Sequence, residues 1–152
     1  MPSSATDARA GRSPAFEAAV EPTRSGIGAA IRASSVHLEA ADVEPGMAVR
    51  ATLLIEEALM NVLMHAAGPG RDPATLRIAL KVDVQPRAVT VEIEDDGRPF
   101  DPRELPAATP PASLDSAATG GLGVHLMRRY ARAIHHQRRD GRNRLVLEIV
   151  PG

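Results

Sequence analysis

The chain contains no cysteine. Disulfide staples, thiolate nucleophiles and thiolate metal sites are excluded, and nothing marks an oxidising compartment. Aromatic residues make up 2% of the chain: two Phe, one Tyr and no Trp. Proteins that bind single-stranded nucleic acid stack bases on such rings, so their scarcity argues against that class. Charge of one sign is also lacking, since 18 basic and 19 acidic residues leave a formal net charge of -1. The basic excess of a dedicated nucleic-acid binder is absent, and no direct nucleic-acid partner is expected. Lys81 is the only lysine, and the bias toward Arg and Ala reads as the habit of a GC-rich genome. No apolar window approaches the roughly eighteen residues of a membrane span. Met1 to Pro14 carries no apolar run of signal-peptide length. The expectation is a cytoplasmic protein with a disordered tail over 1–14.

What is present is a core of aliphatic residues. The 152 residues are 43% hydrophobic, which fits one domain over 15–152 at roughly 100–200 residues per domain. Phe16–Val20 reads as a short edge strand. Thr23 can cap a helix running to about Leu38, with Ile27, Ala30, Ile31 and Ser34 facing inward. Pro45 suits the first turn of a second helix, about Met47 to Ala66. Ala51, Leu54, Ile55, Ala58, Leu59 and Val62 follow helical spacing there. Leu53, Met60, Leu63 and Met64 extend the apolar surface, so this helix should be covered on more than one side. Gly68-Pro69-Gly70 ends it.

Period-two alternation then gives a hairpin. Leu76, Ile78, Leu80, Val82 and Val84 form one buried set, and Val89, Val91 and Ile93 the other. The Pro-rich stretch from Asp101 to Thr119 lacks periodicity, as a lid or binding loop does. Gly120-Gly121-Leu122-Gly123 opens a last helix whose stripe is Val124, Met127, Ala131 and Ile134. A final hairpin turns at Asp140-Gly141, with Leu145, Leu147 and Ile149 facing in.

Polar residues in apolar settings carry the chemical signal. Glu57, Asn61 and His65 are four apart and share a face of the second helix. They fit the solvated strip of an amphipathic helix, or else a carboxylate–amide pair facing a metal–phosphate site. His65, at the helix end, reads as a capping cation. Asp95 has the parity of Val89, Val91 and Ile93. Either the strand ends at Ile93 and Asp95-Asp96-Gly97 is a turn, or a carboxylate sits at the floor of a pocket. The glycines of 120–123 could present N–H groups to an anion. They fit neither a P-loop nor a dinucleotide fingerprint, and a plain loop-to-helix joint has the same look.

The order of these signals is more telling than each alone. Ile55-Glu56-Glu57-Ala58-Leu59-Met60-Asn61 runs on to His65-Ala66. Glu94-Asp95-Asp96-Gly97-Arg98-Pro99-Phe100-Asp101-Pro102, then Gly120–Met127, then Asp140-Gly141-Arg142-Asn143 follow. In this the chain resembles the ATP-binding domain of the gyrase, chaperone, histidine-kinase and mismatch-repair superfamily. More narrowly it resembles the small stand-alone anti-sigma-factor serine/threonine kinases of bacterial partner-switching systems.

The resemblance implies an α/β (α+β) two-layer sandwich, a mixed, mostly antiparallel sheet with helices packed on one face. It implies ATP and Mg²⁺ as cofactors. Asn61 would hold Mg²⁺, and Glu57 would be the general base. Asp95 would accept the adenine amino group, Gly97 would let the chain turn under the base, and Phe100 would lie beside it. Gly120, Gly121, Leu122 and Gly123 would bind phosphates behind a lid of about 101–119, with Arg103 a further candidate phosphate contact. The substrate would be a small antagonist protein, and a sigma factor a second partner. Homodimerisation stays open. A non-catalytic ATP-binding switch module that sequesters a protein partner is the rival function. The chain departs from the subfamily in having Pro99 where a second glycine is frequent. It also has Arg132 and His136 in the last helix, which would place that difference on a partner surface away from the nucleotide motifs.

Overall fold

The computed structural model describes residues 13–104 and 122–152. The tail over 1–12, lid residues 105–119, Gly120 and Gly121 lie outside the described residues. Strand β1 (Phe16–Val20) leads into helix α1 (Arg24–Ala40), whose N-terminus is capped as expected. The Thr23 hydroxyl accepts the Gly26 N–H at 2.9 Å, satisfying one of the free donors of the first turn. Helix α2 (Pro45–His65) starts with Pro45 in its first turn, and the Glu44 carboxylate accepts the N–H groups of Gly46 and Met47. Strands β2 (Ile78–Gln85) and β3 (Ala88–Asp95) form the expected hairpin. Helix α3 (Leu122–Tyr130) and the hairpin of β4 (Ala133–Arg139) and β5 (Arg142–Ile149) complete the order.

The five strands form one sheet in the order β1-β2-β3-β5-β4. Every pairing among the described residues is antiparallel, so the parallel component that a mixed sheet would contain does not occur among them. Strand parity divides the sheet cleanly. Ile78, Leu80, Val82, Val89, Val91, Ile93, Leu145, Leu147 and Ile149 are buried beneath the helices, while Lys81, Ala79 and Arg144 stand exposed on the other face. Helix α2 is the keystone, packed against α1, α3, β3 and β5. Its Leu54, Ile55 and Leu59 have no exposed surface, each such burial contributing about 1.5–3 kcal/mol. The second apolar side is only half covered: Leu53, Met60 and Leu63 are half-buried and Met64 is 47% exposed.

One expectation needs correction. Ala131 and Ile134 were expected on the last helix, but α3 ends at Tyr130 and Ile134 belongs to β4. The Ala131 N–H closes the last turn onto the Met127 carbonyl at 2.8 Å, and the next N–H, of Arg132, turns to Glu148 on β5 at 2.7 Å. Asp140 and Gly141 have φ of 51° and 76°, the left-handed pair that a two-residue hairpin requires. That turn fixes β4 opposite β5, and ladder pairing overrides the helical preference of Ala and Arg.

Candidate functional site

Helix α2 places Asn61 on the face that meets the sheet, 6% exposed, one turn beyond half-buried Glu57. Strand β3 runs on through Asp95, so Asp95 does point to the covered face, 4% exposed. The strand therefore does not end at Ile93, and Asn61 does not lie on a solvated strip. In the sheet register Asp95 lies opposite Asn143 of β5. One oxygen of Asp95 (Oδ1) accepts the Gly97 N–H at 2.9 Å and the Asn143 amide at 3.0 Å. Burial pushes the Asp95 carboxyl above its usual pKa, and these two hydrogen bonds only partly oppose that.

Asn143 organises the chain that follows. Its amide nitrogen also donates to the Arg98 carbonyl at 2.7 Å, and its oxygen accepts the Phe100 N–H at 3.1 Å. Gly97 is held between two layers: Arg138 donates to its carbonyl at 2.7 Å, and a Cβ there would collide with the Ala66 carbonyl oxygen. Its φ is not in the left-handed range. Close approach to the end of α2, not the bend of the chain, requires glycine here.

The end of α2 is satisfied by Arg98, whose N–H and Nε donate to the carbonyls of Ala66 and His65, each at 2.8 Å. His65 therefore is not the capping cation expected of it. Burial, with the nearby Arg98 charge, lowers its pKa, and its ring stacks on Phe100 at 5.3 Å.

These elements enclose a cavity lined by Asn61, Asp95, Phe100, Pro102, His136 and Asn143, with Ala58, Val62, Ile93 and Leu145 as its apolar wall. Its free volume is about 10 Å³, close to the minimum for a single water. Two buried polar atoms, Asn61 Nδ2 and His136 Nε2, have no hydrogen-bond partner among the described residues, and both residues line this cavity. His136 was expected on the last helix away from the nucleotide motifs. It stands instead on β4 at the cavity wall, because β4 pairs His136 with Leu145.

Of the residues singled out in the sequence, Asn61, Asp95 and Phe100 are thus brought together, with Gly97 directly behind Asp95. Glu57 lies one helical turn away and does not line the cavity. Burial, with the neighbouring Glu56 charge, raises its pKa. Arg103 is not brought there: its guanidinium is held by the Asp101 carboxylate, at 2.7 Å for the shortest contact. Leu122 and Gly123 open α3, with only their backbone described. Asn143 and His136 were missed as site residues. The parity of the final hairpin was readable, but which strand neighbours β3 was not.

The site is thus a small cavity with a buried carboxylate, set between the helices and one face of an antiparallel sheet. The chain matches the family described as histidine kinase-like ATPase domain over residues 14–149, and it belongs to that family; ATP is the ligand the family implies. A curated relative, "Serine/threonine-protein kinase BtrW" of Bordetella bronchiseptica (strain ATCC BAA-588 / NCTC 13252 / RB50), is 43% identical over 98 residues. The match spans 63% of this chain and 66% of that protein. A chain of the crystal structure of the SiaB-SiaC complex from Pseudomonas aeruginosa superposes with a TM-score of 0.58 at 19% identity. It covers 93% of this chain and 91% of that one, a likeness of fold.

The polar groups of the lining, though not its free volume, match a purine nucleotide. The Asp95 carboxylate can accept from an exocyclic amino group, and Asn61 carries an orphaned buried amide. Among the described residues no three His, Asp or Glu side chains converge as a metal cage. Mg²⁺ commonly needs none, being held by one or two side chains together with substrate phosphates. No helix among the described residues is long and apolar enough to cross a membrane.

Proposed function

We propose that this chain is an ATP- and Mg²⁺-dependent serine/threonine protein kinase of a partner-switching system, acting on a small antagonist protein. The observation that carries the reading is the convergence of Asn61 from α2 and Asp95 from β3 on one cavity, with Glu57 one turn from Asn61. The kinase named among the curated relatives supports the same chemistry. Asp95 accepts the adenine amino group, and Gly97 lets the chain pass close enough to α2 to shape the floor. Seating a base requires Phe100 and Pro102 to move outward, since the free volume is so small. Asn61 would hold Mg²⁺, whose charge would offset that of the phosphates. Glu57 takes the proton from the attacking hydroxyl, and its raised pKa strengthens it as a base. Phosphate binding would fall to Gly120, Gly121, Leu122 and Gly123, the first two of which lie outside the described residues. Arg103 would have to leave Asp101 to join them. A sigma factor or another regulator is the second partner, bound when the antagonist is not.

The test uses purified protein, ATP, Mg²⁺ and a candidate small antagonist protein. Phosphate should appear on a serine or threonine of the antagonist. If ATP binds and no phosphate moves, the kinase reading fails and a non-catalytic switch module takes its place.

A further inference from the structure

We propose that His136 is a base-contacting residue of this site, its Nε2 making a hydrogen bond to the purine and helping to set nucleotide affinity. The inference rests on the nucleotide reading above and adds a residue to it from β4, a strand that the proposed function does not use.

The position of His136 is an expensive one for an imidazole. Its side chain is 12% exposed, and Nε2 is fully buried without a partner among the described residues. Ile93, Val62 and Leu145 show that this cavity wall accepts aliphatic side chains. A polar atom left buried and unpaired weighs against folding, so a leucine here would make a more stable fold. A ligand that satisfies the atom removes that penalty.

The other ring nitrogen indicates which kind of partner is wanted. Nδ1 faces the Asp101 carboxylate at 3.8 Å, and that carboxylate is itself fixed by Arg103 at 2.7 Å. The Asp101 carboxylate occupies the Nδ1 side of the ring, so the buried Nε2 is the nitrogen left to meet a ligand. The cavity then offers His136 Nε2 and the Asp95 carboxylate to a base. The exocyclic amino group of a purine carries two N–H donors beside a ring nitrogen, so its edge can meet both residues.

Calorimetric titration with ATP and Mg²⁺ separates the two nitrogens. His136→Gln places an amide near the Nε2 position, and His136→Asn places one near Nδ1. His136→Leu removes both, with thermal melts without nucleotide as the check on folding. Affinity should fall about tenfold in the Leu and Asn variants, about 1.4 kcal/mol, and stay within about threefold of wild type in the Gln variant. Retention by Asn with loss in Gln overturns the proposal in favour of a tether to Asp101 alone. Wild-type affinity in all three variants overturns it outright while leaving the nucleotide reading intact. If the wild-type protein binds no ATP, both readings fall together.

Discussion

The two faces of the sheet treat polar groups in opposite ways. On the open face, acidic and basic side chains answer one another across the strands. Glu92 meets Arg144 through two hydrogen bonds of 2.7 Å, Glu94 meets Arg142 at 2.7 Å, and Glu17 lies 3.8 Å from Lys81. On the helix-covered face, Asn61 Nδ2 and His136 Nε2 lack partners among the described residues, and burial raises the pKa of Asp95. Water could have satisfied the first set without help and cannot easily reach the second. Folding alone accounts for the open face. The covered face keeps polar atoms that folding would be better without, which is the physical signature of a site.

The largest expected effect breaks the chemistry and leaves binding untouched. Glu57→Gln preserves shape on α2 and removes the carboxylate proposed as the base. Phosphotransfer to the antagonist should fall by about 10²–10⁴, while calorimetric ATP affinity stays near wild type. The pH dependence follows from the raised pKa of Glu57. A base works deprotonated, so the rate falls as pH drops through that pKa, and the acidic limb should lie above the usual 4.5. A limb at or below 4.5 would remove Glu57 from the role.

The next effect is on binding. In the wild type, ATP at a hundredfold excess over Kd should stabilise the fold by about 2.7 kcal/mol. Asp95→Asn replaces the acceptor by an amide that can donate where an amino group is to be received, and most of the ATP-dependent shift in Tm should vanish. An unchanged shift would show that the carboxylate does not hold the base.

Gly97→Ala tests packing between the floor of the site and α2. The new Cβ meets the Ala66 carbonyl oxygen, and backbone on both sides must give. A loss of about 1–3 kcal/mol is expected from such overpacking, read as a lower Tm without nucleotide.

The covered face was also the more legible in sequence where its signals were local. Helical spacing in Ala51–Val62, period two in Ile78–Ile93 and the Asp140-Gly141 turn each depend on residues near one another in the chain. The parity of Asp95 already implied a buried carboxylate if the strand persisted, and it does persist. What escaped was set by distant pairings. Ile134 and His136 lie in a run of Ala, Arg and His that suits a helix, and only the β5 ladder makes it a strand. The closeness of Asn143 to Asp95 follows from β5 lying beside β3. Arg98, not His65, caps α2 because the chain after β3 returns across the helix end. No spacing rule within either segment carries that information.

The smallest effect belongs to the open face, and it bounds the comparison from below. Arg144→Ala removes both hydrogen bonds to Glu92, whose carboxyl lies below its usual pKa chiefly through that Arg144 bond. The pair sits at a solvated surface, so the cost should be no more than about 1 kcal/mol, at the upper end for exposed pairs because the geometry is bidentate. A lowered carboxylate pKa stabilises the fold at neutral pH and loses that contribution as pH falls through the folded-state value. The difference in Tm between wild type and variant should accordingly shrink below about pH 4.5 and under high salt, with ATP affinity unchanged throughout. A loss of several kcal/mol, or weaker ATP binding, would mean that the open face is coupled to the site and that the two faces are not separable.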